Sequence, residues 1–249
     1  MTDAEIRRPA DAQPLVHSAP PADGAPKHVA IIMDGNRRWA RGRNLDELDG
    51  HVAGTEALRT TLKHAVKIGL PYLTVYAFSR ENWARSDKEV AQLFTLLANV
   101  IDDETPELIE QGVAVQFLGR LDELPREAQE RIEAACAKTS TGSTLRLSVA
   151  FNYGSRTELV DAVRSIVATG TPAADIDEST IAKALYTAGT PDPDLVIRTG
   201  GEERLSNFLL WQSAYAEIVS IPTLWPDFTA ADFDAALATY AHRIRRFGR

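Results

Sequence analysis

Cysteine is nearly missing from this chain: Cys136 is the only one in 249 residues. A single thiol excludes an intrachain disulfide and a cysteine-rich metal site. It lies in IEAACAK, on the apolar side of a predicted helix, and reads as a buried thiol rather than a nucleophile. Lysine is scarce as well, six against twenty-one arginines. No run approaches 18 apolar residues and the N-terminus has no apolar signal-peptide core, so a soluble cytoplasmic domain is expected. Neither GxGxxG after a strand nor GxxxxGK[ST] occurs, which argues against a dinucleotide or P-loop enzyme. A formal net charge of -8 disfavours a broad nucleic-acid surface and leaves room for a local basic pocket.

What is present points to one α/β core. Residues 1–27 carry five prolines and no apolar period, as in a flexible tail, and residues 28–249 read as a single domain. HVAIIMDGN, YLTVYAF, VAVQFLG, LRLSVAFNYG, DLVIRTGG and AEIVSI are short β-type runs, most of them ending in glycine or polar residues. Helical patterns separate them, over 52–68, from a Ser86–Glu89 capping box through Pro106 to Gly112, and over 125–139, 156–170 and 229–246. SNFLLWQSAY fits strand or helix, and its polar start favours helix. The alternation predicts a three-layer α/β fold with a central, mostly parallel six-stranded sheet flanked by helices. Ligands then bind beyond the C-terminal strand ends, where MDGNRR, FSRENW, FNYGSR and RTGGEER fall.

The chemistry-bearing residues are rich in arginine. In Asp34-Gly35-Asn36-Arg37-Arg38-Trp39, glycine permits close backbone approach, Arg38 can fork onto a phosphate, and Asp34 can hold a divalent cation against phosphate oxygens. The same residues fit a surface ion-pair cluster. Arg198, Arg204 and Ser206 around a double glycine have the composition of a second phosphate cradle. Glu217 reads equally as a solvated acid or a metal ligand. His51 near a helix start reads first as a cap, and Trp83 as a loop closing over a ligand or packed on the body. The stripe Leu93, Phe94, Leu97, Val100 and Ile101 reads as ordinary core.

Taken together, HVAIIMDGNRRWA, GHVAG, YAFSRENWAR, FNYGSR, DLVIRTGGEERLSNFLLWQSAYAE and LWPDF resemble the cis-prenyltransferase family, the undecaprenyl diphosphate synthases and their shorter-chain relatives, over residues 27–249. The resemblance implies Mg²⁺-dependent condensation of isopentenyl diphosphate with an allylic diphosphate to a Z-polyprenyl diphosphate. It also implies a homodimer with a hydrophobic tunnel between sheet and helices, no nucleic-acid partner, and transient membrane-surface contact for product release. By resemblance, Asp34, Asn36, His51 and Asn82 are catalytic. Gly35, Arg37, Arg38, Trp39, Arg43, Ser79, Trp83, Arg85, Arg198, Arg204 and Ser206 bind substrate, and Asp34 with Glu217 positions Mg²⁺. Leu93, Phe94, Leu97, Ile101, Leu145 and Leu147 then become tunnel residues. The segment RNLDELDGH departs from the family pattern. Glu47 stands where a basic residue usually contacts the allylic diphosphate, between Asp46 and Asp49, and would repel the diphosphate unless it points to solvent, pairs with Arg41 or Arg43, or contributes to Mg²⁺ binding. That departure motivates a second reading, an irregular head-to-middle synthase coupling allylic diphosphates. Arg80 adds an unusual positive charge to FSRENW.

Overall fold

Six short runs rich in aliphatic and aromatic residues form the sheet, and the density of apolar side chains in the middle strands reflects burial on both faces. The computed structural model of the chain describes residues 24–243; residues 1–23 of the tail expected over 1–27 and the last part of the expected C-terminal helix lie outside them. The strands are β1 (His28–Ile32), β2 (Tyr72–Ser79), β3 (Val113–Leu118), β4 (Leu145–Tyr153), β5 (Leu195–Arg198) and β6 (Glu217–Ser220). They lie in the order β3-β4-β2-β1-β5-β6, every pairing parallel. All nine residues of β4 are buried.

Among the described residues, seven α-helices connect or cover the strands: α1 (Asn36–Gly42), α2 (Glu47–Lys67), α3 (Asp87–Glu110), α4 (Arg126–Thr139), α5 (Ser155–Ala168), α6 (Glu178–Ala184) and α7 (Ala230–His242). Strand alternation sends Val29 and Ile31 into one core with Leu73, Val75, Leu147 and Phe233, while Ala30 and Ile32 meet Tyr76, Tyr153 and Phe208 in another. Ser86 caps α3 by accepting from the Glu89 amide at 3.3 Å. The reciprocal half of the predicted box is not made, because the Glu89 carboxylate turns to Arg85 at 2.8 Å. Helix α3 continues through Pro106. Burial pushes the Cys136 thiol up to about 11, so it stays protonated near neutral pH.

One predicted helix is not formed. SNFLLWQSAY is a succession of turns, with Ser206, Asn207 and Leu209 at φ of 48°, 63° and 45°. Left-handed backbone at three of four consecutive positions is incompatible with a right-handed helix. Phe208 and Leu209 are nevertheless fully buried, which accounts for the helix-like apolar signal.

The topology defines the functional edge. From β1 the chain passes to β2 on one side and later returns to add β5 on the other. The crevice beyond the C-terminal ends of β1 and β5 is therefore the switch point at which parallel sheets bind ligands.

At the opposite end of β1, His28 is 1% exposed; its Nδ1–H donates to the Pro191 carbonyl at 2.6 Å and Nε2 accepts from the Thr74 hydroxyl at 2.7 Å. Burial lowers its pKa to about 4. An unfolded chain binds this proton near pH 6.5, so the contribution is present above pH 6.5 and is lost as pH falls toward 4, by about 3 kcal/mol at most. Titration of the His28 ring resonances should show a neutral imidazole at pH 5.5; a midpoint near 6.5 would contradict this environment.

Candidate active site

Beyond the ends of β1 and β5, the chain turns through Gly35 and through Gly200. Gly35 has φ 119°, and a Cβ there would sit 2.9 Å from the Leu224 side chain, so only glycine allows this turn. The turn leaves Asp34 facing Arg198. The Arg198 guanidinium, with a side chain 5% exposed, donates to Asp34 Oδ2 at 2.7 Å. It also donates to Ser206 Oγ at 2.7 Å and to the Arg204 carbonyl. Arg38 reaches the other Asp34 oxygen at 3.2 Å and the Gly200 carbonyl at 2.8 Å. The Asp34 backbone is fixed as well: its carbonyl accepts from Thr199 Oγ1 at 2.7 Å and from the Trp225 amide at 3.0 Å.

These residues border a cleft of about 410 Å³ lined by Arg37, Arg38, Arg41, Arg85 and Arg198, with Asp34 as the one lining carboxylate. Ser79, Asn82, Gly35, Asn36 and His51 also line it. Five guanidinium groups around one carboxylate suit an anion with several oxygens. The Arg37 and Arg41 side chains are occupied by Glu47, at 2.6 Å and 3.0 Å, and Arg85 by Glu89. Glu47 thus pairs with Arg37 as well as Arg41, while Arg43 goes elsewhere. The Arg37 hydrogen bond, with support from Arg41, holds the Glu47 carboxyl below its usual range against the opposing effect of burial.

A second cavity, about 170 Å³, runs from this cleft between the sheet and helices α2 and α3. Met33, Asn36, His51, Ala77 and Leu93 line both, so they form the junction. Of the six side chains expected along an apolar tunnel, Leu93, Leu97, Ile101 and Leu147 line it. Phe94 instead packs its ring against Phe78, Trp83 and Phe151, and Leu145 is sealed in the core. Leu58 and Leu62, in the helical pattern predicted over 52–68, supply further wall residues from α2. Their apolar period was visible; the face it served was not.

At the junction, Asn36 Nδ2 donates to His51 Nδ1 at 3.3 Å, which puts the ring proton on Nε2. That Nε2 and Asn36 Oδ1 are buried without a partner. Burial first, then the positive charges of Arg85 and Arg37, lowers the His51 pKa to about 4. The imidazole is neutral at pH 7 and offers an unused N–H donor. Gly54 makes room for Asn36, since a Cβ there would lie 2.6 Å from its Oδ1.

Other expected residues sit outside the cleft. Trp39 donates to Asp227 at 2.7 Å and Arg43 lies 4.2 Å over the Trp39 ring while binding the same Asp227, so both fasten α1 to the segment after Trp225. Trp83 donates to Asn152 and packs on Phe78. The Arg204 side chain is 64% exposed and pairs with Glu202. Glu217 does not meet Asp34 within the chain. In the β5–β6 register it faces Leu195, three residues or about 10 Å before the level of Arg198, and it binds Arg243 at 2.8 Å.

No group of three or more metal-ligating side chains occurs among the described residues. Mg²⁺ ordinarily needs only one or two carboxylates, completing its shell with substrate phosphates and water. Asp34, its side chain 29% exposed and bordering the cleft, fits that partial role.

Residues 32–248 match the family model of undecaprenyl diphosphate synthase. The chain belongs to that cis-prenyltransferase family. Among its relatives, the isoprenyl transferase of Heliobacterium mobile is 48% identical over 248 residues, covering 98% of this chain and 95% of the relative. That of Brucella abortus is 49% identical over 228 residues, covering 90% and 89%. The crystal structure of lavandulyl diphosphate synthase from Lavandula x intermedia, in complex with dimethylallyl diphosphate, superposes with TM-score 0.88 at 36% identity over 91% of this chain and all of that one. A probable undecaprenyl diphosphate synthase from Campylobacter jejuni gives TM-score 0.77 at 29% identity, covering 90% and 99%. The relatives support prenyltransferase activity and prenyl diphosphate synthesis for this family member.

Replacing Glu47 by Gln should free two cleft arginines of this prenyltransferase. Inorganic diphosphate should then bind roughly three- to tenfold more tightly, with a steeper salt dependence, as expected for a partly exposed ion pair. Unchanged affinity in calorimetry at low salt would mean the pair does not compete with the anion.

Proposed function

We propose that this family member condenses isopentenyl diphosphate with an allylic diphosphate to give a Z-configured prenyl diphosphate, with Mg²⁺ as cofactor. The observation that carries this reading is the junction of an arginine-lined cleft with an apolar cavity. One molecule with a diphosphate head and an isoprenoid tail satisfies both. Arg37, Arg38 and Arg41 hold the allylic diphosphate, Arg198 with Ser206 the isopentenyl diphosphate, and Asp34 lies between them. Arg204 contributes its carbonyl to Arg198, and its exposed side chain can exchange Glu202 for the same head group.

Asp34 is the residue that would hold Mg²⁺, and the chemistry the metal would supply there is neutralisation of diphosphate charge. The residues of the chain do the rest. Arg38 and the neutral His51 N–H stabilise the growing negative charge on the diphosphate as the allylic C–O bond ionises. Asn36 holds His51 in the donating tautomer at the mouth of the apolar cavity. Leu93 and Leu97 keep water from the allylic cation, which the homoallylic double bond attacks before a proton is lost. The balance is one longer diphosphate, one inorganic diphosphate and one proton. Asn82 and Ser79 close the cleft rim. Glu217 carries no role within one subunit in this scheme.

A second reading is an irregular head-to-middle coupling of two allylic diphosphates. Two observations favour it: the Glu47 clamp on Arg37 and Arg41, and the likeness to lavandulyl diphosphate synthase. Radiolabelled isopentenyl diphosphate, offered with C5, C10 and C15 allylic diphosphates and Mg²⁺, should be incorporated into products with new Z double bonds. Product from the C5 allylic diphosphate alone would replace the first reading by the second, and no product from any combination would remove both.

A homodimer belongs to the same proposal. Val160, Val163 and Val167 are 47%, 54% and 69% exposed on one face of α5, and β6 ends the sheet with Ile218 partly exposed. Such an apolar helix stripe suits a second copy of the chain. Sedimentation at assay concentration should give a two-chain species, and Val163→Lys should shift it to the monomer; a wild-type monomer would remove this part.

A further inference from the structure

The short 3₁₀ segment Arg80–Ala84, between β2 and α3, has two working sides. Asn82, with the flanking Ser79 and Arg85, lines the anion cleft. Arg80 and Trp83 do not line it. They meet a polar cluster at the C-terminal end of β4.

Asn152 is the centre of that cluster. It is wholly buried, and its backbone is left-handed at φ 49°, a costly conformation for a residue other than glycine. Its amide is fully used: Oδ1 accepts from Trp83 Nε1 at 2.8 Å, while Nδ2 donates to the Arg120 carbonyl at 2.7 Å and to Glu123 at 3.1 Å. Glu123 in turn binds Arg80 at 2.5 Å and Arg120 at 3.0 Å. Arg120 is itself forked onto Asp161 of α5, at 2.7 and 2.8 Å. Burial alone would raise the Glu123 pKa, but the hydrogen bonds from Arg80, Arg120 and Asn152 hold it down at about 2. The carboxylate is thus charged at every working pH.

The order of these contacts matters. Asp161 fixes Arg120, Arg120 fixes Glu123 and Asn152, and these two end on the 3₁₀ segment. A third tie, from Asn207 Nδ2 to Glu81 at 2.9 Å, connects the segment to the turns that carry Ser206. Arg80 finds its partner here, so its charge is spent on holding the segment and not on the substrate cleft.

We infer that Asn152 and Glu123 are positioning residues of the cleft. Through Trp83 and Arg80 they hold the 3₁₀ segment in the orientation that presents Ser79, Asn82 and Arg85 to the head group. The inference rests on the reading of the cleft as the diphosphate site.

Two double-mutant cycles test it. Asn152→Gly keeps the left-handed backbone and removes the amide; Trp83→Phe keeps the ring against Phe78 and Phe94 and removes the N–H. Each single change should lower kcat/KM by about 10- to 100-fold, the scale of a misplaced active-site contact. The double variant should be no worse than the poorer single one, with melting temperatures close to that of the wild type. Effects that multiply, or singles with normal kcat/KM, would overturn the inference. Glu123→Gln with Arg80→Met gives the second cycle on a more exposed pair, and decides the matter by the same criteria where Asn152→Gly fails to fold. Calorimetry with inorganic diphosphate separates the two levels of failure. A wild type that neither binds it nor condenses substrates removes the cleft reading and this inference together. A competent wild type with unaffected variants removes the inference alone.

Discussion

The Arg198 guanidinium is almost entirely removed from water, and its charge is met at 2.7 Å by Asp34. Much of the site depends on that contact. It ties the end of β5 to the end of β1 across the switch point of the sheet. The same Asp34 carries Arg38 on its other oxygen and, through its carbonyl, the Trp225 amide. Trp225 donates to the Gly54 carbonyl at 2.7 Å, so the link continues into α2 and the wall of the apolar cavity. Removing Asp34 would leave the buried Arg198 charge without its carboxylate, although the cleft to which Asp34 is partly exposed softens the loss. A site held this way is stiff before any ligand arrives.

Every cleft arginine already has a carboxylate partner, although three carboxylates shared among five arginines leave two positive charges over. Asp34 serves Arg198 and Arg38, Glu47 serves Arg37 and Arg41, and Glu89 serves Arg85. An anion that enters must compete with these carboxylates or bring a cation that satisfies them. In the proposed function a diphosphate with Mg²⁺ would do the latter at Asp34, which would give a physical reason for a metal requirement. Glu47 is the counterion that can be displaced without loss of the fold, since it is partly exposed and lies at the first turn of α2.

Much of this was legible in the sequence, for identifiable reasons. Strands buried on both faces read as continuous apolar runs, so β1, β2 and β4 were plain. Asp34 and Arg198 were legible as a site because each directly follows or ends such a run, and parallel sheets collect ligands there. What was not legible depended on long-range geometry. The sequence placed Glu217 near a strand, but only the β5–β6 register reveals that it lies at the wrong end to meet Asp34 in the same chain. Trp39 and Arg43 stand beside the cleft-lining Arg38 and Arg41 in sequence, yet Asp227, far along the chain, draws both away. SNFLLWQSAY carries a buried apolar pair in a left-handed backbone, a combination that no periodicity announces. Arg80 looked like an added charge on a ligand loop until Glu123 gave it a partner.

Asp34 as the meeting point of cation, diphosphate and arginines is the central claim, and calorimetry of inorganic diphosphate with wild type and Asp34→Asn, each with and without Mg²⁺, tests it most directly. Asparagine can still accept from Arg198, so the fold is retained. The wild type should bind diphosphate more tightly when Mg²⁺ is present. In Asp34→Asn that gain should vanish, while metal-free binding becomes tighter because a negative charge has left the cleft. An equal Mg²⁺ gain in both proteins, with unchanged metal-free affinity, would contradict the account.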